Sequence, residues 1–279
     1  MNDLYSTFSL HILESTIWVI LFLLFAWLLR IRDARMLCWI YRASLLKFLI
    51  PTTLLSNWIT LSESQNLISD FVVSAESVKS VVYYAAKQPE FIWPAYIWSV
   101  GIFAFVILAA WTGVRVHNRI QKGSTPFSGR YLRILRQTLM DAKGASKELP
   151  GTLVVQGPPI ALYGIFRPRI IAKHAFLETL DDNELTSALQ HEAAHWIRRD
   201  NLWRLLTDAI TAILWDHPLI WFIRHRLMLE TEKACDETVL SFGRPVTCYA
   251  NCLLKAAEFS QERIQFGAIA LSETSLKQR

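Results

Sequence analysis

The chain has 279 residues, a formal net charge of +5, and is 52% hydrophobic against only 19% charged. That balance excludes an intrinsically disordered, highly charged chain, and a mean hydropathy of +0.25 points to apolar surface kept in a bilayer. Four cysteines are too few for a disulfide framework. The excess cations sit beside apolar runs rather than in a nucleic-acid recognition motif, so direct nucleic-acid binding is not expected.

Taken in chain order, the first half reads as a membrane domain over 1–114. A span needs roughly 20 mostly apolar helical residues. The first runs over about 10–29; it lacks a basic leading region, so it is a retained anchor rather than a cleavable signal. The second runs over about 41–61, with Arg42 and Lys47 at its start and Pro51 inside it. The third covers 91–114, uncharged, with Trp93, Tyr96 and Trp98 near its start as an aromatic belt. Arg30, Arg32, Arg35 and Arg42 lie between the first two spans, and Arg115, Arg119, Lys122, Arg130, Arg133 and Arg136 follow the third. The loop 62–90 carries Glu63, Asp70, Glu76 and Glu90 against only Lys79 and Lys87. Positive loops stay inside, which places the N-terminus and this loop outside and everything after Val114 in the cytoplasm. Within the loop, Leu67, Phe71, Val78 and Val82 predict an amphipathic helix at the interface.

Residues 115–279 read as one catalytic domain of α+β class, mostly helical with a small sheet. A helix is predicted over Arg130–Met140 and a breaker over Ala145–Gly151. Short β-prone runs follow at Thr152–Val155, Ile160–Tyr163 and Arg169–Ile171, punctuated by Gly157-Pro158-Pro159 and by Pro168. An exposed edge strand in such a sheet can bind an extended peptide by main-chain pairing; the sequence does not say which run is the edge. Asp181-Asp182-Asn183 then offer N-cap side chains, Glu184 suits the first helical turn, and Leu185, Ala188, Leu189, Ala193 and Trp196 form an apolar stripe. The cations of Ile197–Asn201 close that helix.

Inside it, His191-Glu192-Ala193-Ala194-His195 spells H-E-x-x-H. Positions i and i+4 share a helix face, so both imidazoles can reach one metal ion, while Glu192 is turned off the pair but close enough to take a proton from an attacking water. One Zn²⁺ per chain is expected, held by His191, His195 and a third ligand. Glu232 is the best candidate for that ligand; Glu230 and Glu237 are alternatives that periodicity does not exclude. Asp236, one turn beyond Glu232, would accept the free ring N–H of a ligating histidine. Cys235 lies on another face and reads as a buried thiol. His217 and Tyr249 are candidate transition-state stabilisers, although a turn histidine and a packing tyrosine are the plainer readings. His11, His117 and His174 lack partners at ligand spacing. Cys248 and Cys252, one turn apart, are expected reduced in the cytoplasm. Ser44–Lys47 fits S-x-x-K but lies in the second span without a K-T-G. The apolar segment 205–223, interrupted by Asp208, Asp216, His217 and Pro218, is expected to be a membrane-associated helix followed by a turn at 216–218. A complete crossing there would put Glu232 on the wrong side of the membrane from the histidines.

Phe166-Arg167-Pro168-Arg169-Ile170-Ile171, then His191 to His195 with Arg199-Asp200, then Trp215-Asp216-His217-Pro218-Leu219-Ile220-Trp221 and Glu232-Lys233-Ala234-Cys235-Asp236-Glu237, resemble the BlaR/MecR-type membrane metallopeptidases. The resemblance implies a zincin-like protease domain of gluzincin type facing the cytoplasm, with His191, His195 and Glu232 as zinc ligands and Glu192 as base. It also implies antibiotic-resistance-type signalling by cleavage of a cytoplasmic regulator such as a transcriptional repressor. Receptors of that type continue into a further span and a penicillin-binding sensor, for which this chain has no room; the expectation is a truncated chain, a shortened relative, or a protease that takes its signal from a separate sensor subunit. Two other functions fit the same residues: a non-catalytic membrane scaffold with a structural zinc, and a general membrane-protein quality-control peptidase.

Overall fold

The structure is a computed structural model that describes residues 2–50, 93–141, 149–243 and 245–260. In chain order it contains α1 (Asn2–Leu28), α2 (Ala34–Leu49), α3 (Trp93–Gln121), β1 (Thr125–Pro126), α4 (Gly129–Asp141), β2 (Gly151–Leu153), β3 (Ile160–Tyr163) and β4 (Arg169–Ala172). These are followed by α5 (His174–Glu178), α6 (Asp182–Ile197), α7 (Asp200–Ile213) and α8 (Pro218–Ser241), and by a helix over 246–260, here α9. The chain divides into two compact units, one of Met1–Val106 with Leu206–Thr231, the other of Ile107–Leu205 with Glu232–Arg279.

In the first unit α1 and α2 lie side by side, with His11 Nε2 2.9 Å from the Phe48 carbonyl and Lys47 Nζ 3.3 Å from Ser15 Oγ. Helix α2 starts at Ala34, where Asp33 caps it by accepting the Met36 N–H, and stops at Leu49, just before Pro51. The remainder of the predicted second span, 51–61, and the outer loop with its amphipathic helix lie outside the described residues. Among the described residues two segments are long and apolar enough to cross a membrane, Leu10–Leu28 of α1 and Tyr96–Gln121 of α3. The apolar segment 205–223 is not one helix. Helix α7 ends at Ile213 and α8 begins at Pro218, because proline lacks the N–H and disfavours helical backbone in the residue before it. The two helices are joined by Arg224 Nε donating to Asp208 Oδ1 at 2.9 Å. Trp98 Nε1 donates to the Ile213 carbonyl just before the break. At Gly101 a Cβ would meet the Trp215 indole at 2.3 Å, so only glycine lets α3 pass there.

The second unit is built on a mixed sheet of order β1-β2-β4-β3, in which β2 and β4 are parallel and the outer pairs antiparallel. The three β-prone runs became β2, β3 and β4; β1 is a two-residue strand with no period of its own to read. Helix α6 lies over the sheet through the stripe read from its sequence: Leu185, Ala188, Leu189 and Ala193 join Phe127, Leu135, Ile170, Phe176 and Leu177 in one core, and Trp196 packs against it. Each such large side chain, fully buried, contributes about 1.5–3 kcal/mol, enough to fix the helix on the sheet. Its start is fixed by a capping box, in which Asp181 accepts the Glu184 N–H while Glu184 accepts the Asp181 N–H. Lys255 of α9 anchors Glu184 at 2.6 Å, and Arg130 of α4 pairs with Asp182 at 2.6 Å.

Candidate metal centre

Helix α6 carries His191 and His195 on one face, with the two rings T-shaped and their centroids 4.8 Å apart. The next turn of chain decides what lies behind them. The helix closes at Ile197, earlier than the cation run suggested, because Arg199 takes a left-handed conformation (φ 55°) and α7 begins at once with Asp200. A non-glycine residue in that region costs roughly 1–2 kcal/mol. The tight reversal brings Asp200 back beneath His195, where its Oδ2 lies 3.0 Å from His195 Nδ1 and accepts Arg198 Nε at 3.2 Å. The Cys235 thiol is wholly buried, 3.3 Å from the same ring nitrogen and 3.6 Å from Asp200. Burial, with Asp200 beside it, pushes that thiol far above the ordinary range, so it is a neutral packing group rather than a thiolate.

His191 is backed from further along the chain. Its Nδ1 lies 2.8 Å from the Tyr249 hydroxyl, and that hydroxyl donates to Asp236 Oδ1 at 2.6 Å; Asp236 itself is 3.3 Å from the ring. Both Nδ1 atoms thus face acceptors, which turns both Nε2 atoms toward the same point, 3.2 Å from each other. Glu232 Oε2 completes the group, 3.5 Å from His191 Nε2 and 3.9 Å from His195 Nε2. A tetrahedral zinc ion with bonds of about 2.0–2.1 Å separates its ligand atoms by about 3.3–3.4 Å, so this donor set fits one. The electrostatics favour a cation as well. Burial alone would lower the His191 pKa, but hydrogen bonds to Asp236 and Glu232 overcome it and hold the value up at about 10. The hydrogen bond to His191 in turn holds Glu232 below the usual carboxylate range. A second cluster of ligand-type atoms, His195 with Asp200 and Cys235, is the back of the first, since it presents the other ring nitrogen and a protonated thiol.

Glu192 is buried, 7% exposed, with Oε2 accepting the Leu162 N–H at 2.5 Å. Burial raises its pKa despite the neighbouring histidines. Leu162 is on β3, an edge strand of the sheet. The Lys173 N–H donates to the Pro159 carbonyl on the inner side, so by strand alternation Ile160 and Leu162 turn their main-chain groups outward. Asn201 Nδ2 donates to the carbonyls of Leu162 at 3.3 Å and Gly164 at 2.8 Å. The edge left open by the sequence is therefore β3 on the side of α6.

Of the residues singled out in advance, His191, Glu192, His195, Glu232, Asp236 and Tyr249 come together within the second unit. His217 belongs to the first unit, where its Nε2 lies 3.0 Å from Thr16 Oγ1 and its ring packs edge-on to Phe48. Glu230 is buried and paired with Arg226 at 3.2 Å, and Glu237 is exposed. Two residues were missed. Asp200 had a legible signal, a carboxylate five positions after the second histidine, but its role depends on the left-handed turn. Asn201 had none.

A family described as BlaR1 peptidase M56 matches residues 8–279. Regulatory protein BlaR1 of Bacillus licheniformis is 22% identical over 216 residues, covering 77% of this chain and 32% of that protein. Methicillin resistance mecR1 proteins of Staphylococcus aureus and Staphylococcus epidermidis are 25% identical over 79 residues, covering 28% of this chain and 14% of theirs. The chain thus spans about a third of the length of the first relative and about a seventh of the others.

Proposed function

The chain belongs to the BlaR1 peptidase M56 family, and from that premise we propose that it is a membrane-embedded zinc endopeptidase. The observation that carries this reading is the convergence of His191 Nε2, His195 Nε2 and Glu232 Oε2, all within 4.8 Å of one another, with both Nδ1 atoms already engaged behind them. A zinc ion bound there supplies a Lewis acid that acidifies an attacking water and polarises the scissile carbonyl. The chain supplies the proton handling. Glu192, tethered by one oxygen to the Leu162 N–H, has its other oxygen available to take the water's proton and to return it to the leaving amine. Burial makes it a stronger base than an exposed glutamate. Strand β3 offers the outward main-chain groups of Ile160 to an extended peptide, those of Leu162 being held by Glu192 and Asn201. That pairing leaves little side-chain selectivity, so specificity comes from which chain is presented to the edge.

The helices Leu10–Leu28 and Tyr96–Gln121 and the cation run after Val114 support a cell-membrane protein with its N-terminus outside and the protease facing the cytoplasm. Names such as regulatory protein and methicillin resistance protein among the relatives support a regulatory substrate, a cytoplasmic regulator such as a transcriptional repressor. Glu192 is intact and directed at the pairing edge, which favours catalysis over a scaffold with structural zinc.

Elemental analysis of the detergent-purified chain tests the centre. One zinc per chain, lost in His191→Ala and in Glu232→Ala, is expected; a folded, zinc-resupplied wild type without metal overturns it. Glu192→Gln should keep its zinc and lose hydrolysis, by a factor of about 10²–10⁴ for a missing general base. The same variant should trap the substrate: one dominant regulator bound to it supports signalling, and many unrelated membrane proteins support quality control.

A further inference from the structure

The hairpin that joins β3 to β4 ends in a tip, Gly164–Pro168, that the proposed catalysis does not use. Phe166 at its apex is 89% exposed and Ile165 beside it 38%. Gly164 makes the turn possible: its φ is +94°, and a Cβ there would meet the Arg167 carbonyl oxygen at 2.7 Å. The tip is therefore a formed structure that holds an aromatic ring out of the protein, at a cost water alone does not repay.

Its height is set by α3. Ile120 is buried with Val154 and Ile171, and Ala161 and Tyr163 pack on that cluster. Three residues further on, a Cβ at Gly123 would meet Val155 at 3.1 Å, at the end of the sheet away from the tip. One turn back toward the apolar part of α3, His117 Nδ1 lies 2.9 Å from the Tyr163 hydroxyl, and the two rings stack. Contacts that move from Val155 at Gly123, through the cluster of Val154, Ile171, Ala161 and Tyr163 at Ile120, to Tyr163 at His117 mean that β3 runs alongside the helix toward its apolar end. Beyond Tyr163 the tip extends about two residues' worth of strand, roughly 6–7 Å at 3.3 Å per residue. On a helix rising about 1.5 Å per residue, that brings Phe166 from the level of His117 to roughly that of Gly113. This is where α3 changes character: Ile107, Leu108, Trp111 and Val114 are exposed apolar residues, and the Arg115 guanidinium lies 3.5 Å over the Trp111 ring. An arginine on a tryptophan at the end of an apolar run is the arrangement of a membrane interface. Charge agrees. Residues 160–172 contain Arg167 and Arg169 and no acid, and no acid occurs from 107 to 140.

We propose that the Gly164–Pro168 tip is a second membrane contact, with Phe166 and Ile165 inserted among the acyl chains beside α3 and Arg167 at the anionic headgroups. The proposal rests on the reading of α3 as a membrane span. It deepens the functional reading, because the same hairpin carries the β3 edge at Ile160, so the peptide-pairing edge is held at a fixed, shallow height above the lipid surface.

Site-directed spin labelling of the full chain in vesicles of phosphatidylethanolamine and phosphatidylglycerol tests it. Cys248, the one half-buried cysteine, is replaced by serine, and a nitroxide is placed singly at Leu108→Cys, Phe166→Cys or Met140→Cys. All three native side chains are exposed, so no core is disturbed, and the nitroxide is itself apolar enough to stand in for the ring. The expected result is a ratio of oxygen to aqueous nickel-complex accessibility at Phe166 close to that at Leu108 and several-fold above that at Met140. A Phe166 label as open to the nickel complex as Met140, with Leu108 still in lipid, overturns the tip contact and leaves the span intact. Shielding of Phe166 from both reagents means that protein covers it and also overturns the proposal. A Leu108 label in water removes the span, and the tip contact with it.

Discussion

The two histidines of the candidate centre are supported in different ways. Behind His195 stands Asp200, five residues away, 6% exposed and shared with Arg198 and the buried Cys235 thiol. Behind His191 stand Asp236 and Tyr249, which arrive from α8 and α9 across 45 and 58 residues of chain, with the Asp236 side chain 40% exposed. One arm is built by a single strained turn at Arg199. The other exists only once distant helices have packed. A ligand backed by a local, desolvated carboxylate is pre-organised as soon as its helix forms; a ligand backed by remote, half-solvated groups is ordered last and is the softer side of the centre.

That asymmetry can be broken at its firm side first. Removing a partner behind a metal-ligating histidine costs about 10–100-fold in metal affinity, and Asp200→Ala belongs at the upper end of that range. It frees the ring and opens a buried gap beside Arg198 and the thiol. Zinc competition titration against a chelator should show a loss of about 100-fold. A loss no larger than that of Asp236→Asn removes the distinction between the arms. For Asp236→Asn the expectation is about 10-fold, because Tyr249 remains against His191 and water can reach the gap.

The soft side can also be read by pH in the metal-free protein. His191 is held up at about 10 against an ordinary 6.5, chiefly by the hydrogen bonds to Asp236 and Glu232 working against burial. A raised folded-state pKa stabilises the fold fully below about pH 6.5 and loses that contribution as pH rises through about 10. Metal-free protein should therefore melt progressively lower between those limits. Zinc-loaded protein should not show this trend, since zinc occupies the nitrogen the proton would take. Asp236→Asn should flatten the metal-free curve, whereas a curve unchanged in that variant places the proton elsewhere.

How much of this was legible follows the same division of near from far. The α6 cap at Asp181 and Glu184, its apolar stripe and the His191-Glu192-His195 spacing are governed by neighbours within one or two helical turns, and all were readable. The β-prone runs were readable for the same reason, but their order was not: parallel β2–β4 pairing joins segments separated by β3, and no local pattern encodes that. Periodicity left Glu230, Glu232 and Glu237 open. Packing separates them, burying Glu230 on Arg226 and placing only Glu232 among the histidines. Asp200 lay inside the run predicted to close the helix, and an end misplaced by a few residues hides what the turn delivers.

The smallest expected effect isolates the last link of the soft arm. Tyr249→Phe removes one hydroxyl, the one 2.8 Å from His191 and donating to Asp236 at 2.6 Å. It leaves Asp236 already 3.3 Å from the ring, a distance a half-exposed side chain can shorten. The loss in zinc affinity should thus fall below the roughly 10-fold lower bound usual for such partners, with kcat less affected than metal binding. A large fall in kcat at saturating zinc would instead mean that the hydroxyl acts on the reacting carbonyl, the role first entertained for Tyr249. The hydrogen bonds argue for the smaller effect: the hydroxyl's proton is committed to Asp236, so it has none to offer a developing oxyanion.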